Sequence, residues 1–124
     1  MEVNRKKGSF ITHQIKSFGW ATDGLIFSFN KGTHFKIQTI CAALVTVLGF
    51  IYNINSNEWL ALILISSAVL ATEAMNTALE ETCNVLHPDL HPTIRIAKHC
   101  AAASVLIFSA AAALIALVIF VPKI

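Results

Sequence analysis

The chain has 124 residues; 56% of them are hydrophobic and only 13% are charged, against about 25% charged in an average soluble domain. A soluble fold of this length has too much surface to hide so many apolar groups. Composition therefore excludes a water-soluble enzyme, a disordered chain and a disulfide-built secreted module, and leaves a membrane protein. The net charge is +2 with five histidines counted neutral, and no continuous basic stripe exists, so no nucleic-acid partner is expected. Three cysteines, Cys41, Cys83 and Cys100, lack CxxC spacing and read as reduced, buried thiols in apolar surroundings rather than a disulfide framework.

In chain order, the first element is a helix over residues 9–30. Ile11, Ile15, Phe18, Leu25 and Phe29 recur at helical intervals, while Lys16 and Asp23 fall elsewhere. With Trp20 as an anchor, this is the pattern of an amphipathic helix lying on a membrane surface. The competing reading is a helix packed on a soluble partner. Gly32 breaks the pattern before the first long apolar run. That run begins too far along the chain for a signal peptide.

Three transmembrane helices follow, over residues 37–54, 59–82 and 98–121. Each approaches the roughly 20 residues that cross a bilayer core. The first contains Gln38, Thr39 and Thr46 but no charge. Of nine basic residues, eight (Arg5, Lys6, Lys7, Lys16, Lys31, Lys36, Arg95 and Lys98) fall on one side, and only Lys123 falls on the other. The positive-inside rule makes the crowded side cytoplasmic and sends the C-terminus outside. Tyr52 and Trp59 stand where interfacial aromatics are expected.

The informative charges lie late in the second span. Glu73 and Glu80 are seven residues apart, nearly two turns, so they share one helix face about 10 Å apart along the axis. Asn76 and Thr77 lie between them, and Glu81 points away toward the headgroups. Ionisable groups in a span are functional candidates by default. Two carboxylates and an amide can hold a divalent cation or supply a general base for a hydroxyl. The plainer alternative is a polar clasp in which Lys98 or Arg95 pairs with the carboxylates. His87 and His91 could form a metal pair, but proline between them makes a continuous helical geometry doubtful. Arg95, Lys98 and His99 open the third span with positive charge suited to a polyphosphate bridged by Mg²⁺. Neither GxxxxGK(S/T) nor GxGxxG occurs, so any nucleotide must be held by side chains and metal.

Residues 73–80 read E-A-M-N-T-A-L-E, which resembles the E-x-x-N-(S/T)-A-(I/L)-E signature of the small bacterial integral-membrane diacylglycerol and undecaprenol kinases. Pro88-Asp89-Leu90-His91-Pro92 is similar to that family's P-E-Y-H-P. Ile96-Ala97-Lys98, the small residues 101–105 and the stretch from Lys16 to Leu25 extend the likeness over about residues 10–122. The resemblance implies a homotrimer of three-helix protomers in the bacterial inner membrane, with active sites shared between neighbours. It implies transfer of the γ-phosphoryl group of ATP to a lipid hydroxyl. Glu73 would be the general base and Glu80 a Mg²⁺ ligand. Asn76 and Lys98 would orient headgroup and phosphates, with His99 and Lys16 in the same binding set.

Three positions that are acidic in the family pattern are Gly32, Asn84 and His99 here. His99 serves at best as a neutral acceptor. Glu81 and His34 are the groups at hand to substitute for the acid missing at Gly32. Two functions therefore stand: a lipid kinase, or a catalytically degenerate member acting as a lipid-binding or regulatory membrane subunit.

Overall fold

The computed structural model describes residues 10–86 and 91–124. Residues 1–9 and the turn segment with His87 and Asp89 lie outside it, and with them the His87–His91 pair and most of the P-D-L-H-P match. The regular structure of the described residues is all helical, with no strand among them: α1 (Phe10–Lys31), α2 (Thr33–Ile51), α3 (Ser56–Leu86) and α4 (Pro92–Phe120), closed by a 3-10 turn over Val121–Lys123. Three helices, α2, α3 and α4 with its closing turn, are long and apolar enough to cross a membrane.

The helices outrun the apolar segments from which they were expected. α2 starts at Thr33 and α4 at Pro92, and α3 extends to Ser56 and Leu86. Hydropathy marks only the greasy stretch, whereas helix ends are set by caps. Gly32 precedes α2 with φ −88° and ψ 108°, an extended residue that separates α2 from α1. Its backbone N–H donates to Ser28 O at 2.9 Å. At the other end α2 stops at Ile51, short of the expected residue 54. Asn53 adopts φ 47°, the left-handed conformation that asparagine tolerates and that terminates helices. Ile54 N–H then donates back to Gly49 O at 3.2 Å.

The link into α3 is a reciprocal capping box. Asn55 Oδ1 accepts from the N–H groups of Asn57 (3.0 Å) and Glu58 (3.1 Å), and Glu58 Oε2 accepts from Asn55 N–H at 2.8 Å. Lys123 Nζ reaches Glu58 Oε1 at 3.1 Å, so the end of the chain is tied to the same turn. At the start of α4, His91 Nδ1 accepts from Thr93 N–H at 3.2 Å, and Pro92 takes the first helical position.

The core gathers at this Trp59 end of the bundle. Ile54, Leu62, Ile119 and Phe120 are buried, with Tyr52, Trp59, Leu48 and Ile115 packed around them. Gly49 is required there: a β-carbon would come within 2.8 Å of Trp59 Cη2 and 3.1 Å of Ile54 Cδ1. At the opposite end, which carries Glu73 and Glu80, Ser28, Phe35, Glu73, Thr77 and Cys83 are buried.

Large apolar residues still face outward along every span; Leu64 and Leu106 are each 70% exposed. In α1, Ile11, Ile15, Phe18 and Trp20 are also exposed, while Ser28 is buried against the rest of the chain. The thiols divide likewise: Cys83 is buried, but Cys41 and Cys100 are exposed on the single chain, which corrects the expectation that all three are enclosed.

Candidate functional site

Glu73 lies on the inward face of α3 and is only 5% exposed. The face is set by helical period: Leu62, Ile65, Val69, Glu73 and Thr77 are all buried and step along α3 at three- and four-residue intervals. The Thr77 hydroxyl donates to Glu73 O at 3.0 Å, a back-bond that satisfies it without engaging the carboxylate. Asn76 is half-buried, and its Oδ1 is shut off from solvent without a hydrogen-bond partner. Glu80 is exposed. A buried carboxylate, an orphaned amide oxygen and an accessible carboxylate therefore occupy two successive turns.

His34, in the first turn of α2, and Glu80 are the charged groups close enough to act electrostatically on Glu73. His34 thus lies within electrostatic reach of Glu73. No ion pair among the described residues joins Glu73 or Glu80 to a basic side chain. The clasp built on Lys98 or Arg95 is accordingly not what the structure forms. Lys98 Nζ instead donates to Asn84 Oδ1 at 2.7 Å, between α4 and the last turn of α3. The physical reason is register: Asn84 lies one turn beyond Glu80 on α3, so its amide reaches the Lys98 ammonium first.

Glu81 does not point freely to the headgroup region. It pairs with Lys31, the last residue of α1, and so ties the N-terminal helix to α3. Lys31 also sits over the Phe27 ring, with its Nζ 5.5 Å from the centroid. His99 is exposed on α4 and Lys16 on α1. Lys16 is roughly 22 Å along the α1 axis from Lys31, and no hydrogen bond or ion pair among the described residues links either residue to Glu73.

At Gly32 the missing acid leaves no vacancy. A β-carbon there would lie 2.8 Å from Ser28 O and 3.2 Å from Phe35 Cβ. The backbone has closed around the glycine.

Residues 19–120 match the family profile described as prokaryotic diacylglycerol kinase. The chain belongs to that family. Among its relatives, the undecaprenol kinase of Bacillus subtilis is 31% identical over 108 residues, covering 87% of this chain and 88% of the relative. A diacylglycerol kinase of Synechocystis sp. is 30% identical over 100 residues, covering 80% of this chain and 57% of that longer protein. Membership in this family of lipid kinases, together with three apolar spans, establishes a membrane protein of a phosphotransferase family.

A kinase family implies ATP, and phosphoryl transfer implies Mg²⁺. Among the described residues no group of three His, Cys, Asp or Glu side chains converges on one point. The described residues thus form no three-ligand cage. Mg²⁺ asks for less than a cage, because it commonly keeps several waters and takes one or two carboxylates plus substrate phosphates. Glu80, exposed and in no ion pair among the described residues, fits that role.

Sequence reading missed two features here. The Lys31–Glu81 pair bridges residues fifty apart in sequence, beyond any periodicity. Gln38 is visible in the sequence as the one long polar side chain of the first span, yet nothing in its pattern shows that its Oε1 is enclosed and unpartnered.

Proposed function

We propose that this chain is an ATP-dependent lipid kinase that transfers the γ-phosphoryl group to the hydroxyl of a membrane lipid, either a diacylglycerol or a polyprenol. The observation that carries this reading is Glu73: a carboxylate retained in a buried position, without an ion-pair partner among the described residues, on the stretch of α3 that also carries Asn76 and Glu80. Structural clasps pair their charges, and this one is left unpaired. An unpaired buried carboxylate is suited to take a proton from a neutral hydroxyl.

In this mechanism Glu73 accepts the proton of the lipid hydroxyl. The hydroxyl oxygen bonds to the γ-phosphorus as the bond to the β-phosphate oxygen breaks, and ADP leaves. Asn76 orients the hydroxyl through its free amide oxygen. Lys98 and His99 sit at the headgroup end of α4 and, with Lys16, contribute to phosphate and headgroup binding. Glu80 would hold Mg²⁺ on the nucleotide, which supplies charge neutralisation on the phosphates. The expected context is the bacterial inner membrane, with the Glu80 end cytoplasmic and α1 lying along that surface on its exposed apolar residues. In that setting Glu73 lies about 21 Å along α3 from Trp59, inside a hydrocarbon layer some 30 Å thick, and Glu80 lies at its border. A homotrimer would cover the outward apolar faces and complete each site from a neighbour.

The test is phosphorylation in mixed micelles with ATP and Mg²⁺, offering diacylglycerol and a polyprenol separately. Phospholipid product is expected from the native chain, and Glu73→Gln is expected to lower the rate by about 10²-fold or more. Absence of product from both lipids in an intact oligomer favours the degenerate member instead.

A further inference from the structure

A cavity of about 260 Å³ opens between α2, α3 and α4. Its wall is almost wholly apolar or small: Ala42, Val45, Leu62, Val69, Ala112 and Ala116 are among the lining residues. The exceptions are Gln38, Ser66 and Ser109. Gln38 stands out because its Oε1 is enclosed and has no hydrogen-bond partner. An amide buried in an apolar wall is costly unless something pairs with it.

The cavity continues the Glu73 site. On α2, His34 lies within electrostatic reach of Glu73, and Gln38, which lines the cavity, is one turn and about 6 Å deeper. On α3 the lining residue Val69 is likewise one turn before Glu73. A lipid whose hydroxyl meets Glu73 therefore lays the first part of its chain past Gln38. The two acceptor classes differ at that depth. In a diacylglycerol, an ester carbonyl lies a few bonds from the reacting hydroxyl. In a polyprenol, only hydrocarbon lies there.

We propose that Gln38 is a specificity-determining residue that donates a hydrogen bond from its carboxamide Nε2 to the ester carbonyl of a diacylglycerol-type acceptor, and that the cavity beyond it takes that lipid's chain. The carboxamide turns about its last bond and so presents either its oxygen or its NH₂ to the cavity. With a polyprenol bound, the carboxamide NH₂ faces only hydrocarbon; an ester carbonyl gives that NH₂ an acceptor. A site built around a polar partner discriminates against the analogue that lacks it. This inference rests on the kinase reading and selects the acceptor within it.

The experiment uses the full-length protein in mixed micelles and three acceptors: a diacylglycerol, its dialkyl ether analogue without carbonyls, and a polyprenol. For the native chain, kcat/KM is expected to be roughly three- to tenfold higher for the ester than for the ether, the worth of one hydrogen bond to a neutral group. In Gln38→Leu, which keeps the bulk and is apolar, the ester-to-ether ratio is expected to fall to about one. A purely structural role for Gln38 would lower both rates and leave their ratio unchanged, which overturns the proposal. Equal use of ester and ether by the native chain overturns it without any variant. So does a preference for the polyprenol over both. Failure of the native chain to phosphorylate any of the three overturns the kinase reading as well, and so is distinct from the outcomes that refute Gln38 alone.

Discussion

Replacing Gly32 by alanine adds one methyl group at the junction of α1 and α2. The added carbon would stand 2.8 Å from Ser28 O and 3.2 Å from Phe35 Cβ. The first neighbour is backbone, held in place by the hydrogen bond from Gly32 N–H at 2.9 Å, and Phe35 is buried. Neither yields cheaply. Overpacking of this kind costs about 1–3 kcal/mol. The glycine's φ of −88° is open to any residue, so no backbone strain is added. Restricting the unfolded chain returns roughly 0.4–1 kcal/mol. The expected net loss is about 1–2 kcal/mol, read from denaturant titration in mixed micelles. Gly32→Glu carries the same steric cost plus a carboxylate two residues before His34. The informative quantity is therefore the activity of Gly32→Glu relative to Gly32→Ala, which is expected to rise, rather than its activity relative to the native chain. Native-like stability of Gly32→Ala refutes the argument that the backbone has closed around this position. An alanine variant as active as the glutamate variant refutes the idea that an acid here assists.

Three further outcomes are expected. Lys31→Ala and Glu81→Ala should each cost less than about 1 kcal/mol, because the pair is exposed and screened. A double-mutant cycle between them should show a coupling that fades with added salt, and additivity at low salt would argue against the pair. Glu58→Ala removes one half of the capping box and the partner of Lys123, so it should lower the thermal midpoint; Lys123→Ala, which spares the cap, should lower it less. A reporter fused after Ile124 that is active only outside the cytoplasm should be active, whereas activity from a reporter placed at the N-terminus would reverse the proposed orientation.

The fold was legible because its signals are local. Three apolar runs and one periodic segment sufficed to place four helices, since a helix satisfies its own backbone and needs no distant partner to be recognised. Their ends were less legible. Thr33, Pro92 and Leu86 belong to helices by capping and continuity rather than by hydropathy, and Asn53 ends α2 through a backbone conformation that composition does not encode. That Glu73, Asn76 and Glu80 stand together on two turns of one helix could be read from their spacing. The partners of the charged residues could not. Lys98 meets Asn84, and Glu81 meets Lys31, because helix register decides which of several nearby side chains arrives first. Gln38 was visible as a residue, but only packing from three helices shows that its oxygen is enclosed.

The Trp59 end of the bundle is closed three times over: by the buried cluster around Phe120, by the fit of Gly49 against the indole, and by the bond from Lys123 to Glu58. The Glu80 end is fastened by polar side chains, Lys31 to Glu81 and Lys98 to Asn84. Exposed links of this kind contribute little and weaken with salt. How firmly α1 and the start of α4 are held to α3 therefore depends on the ions in the surrounding water, whereas the packing around Phe120 does not.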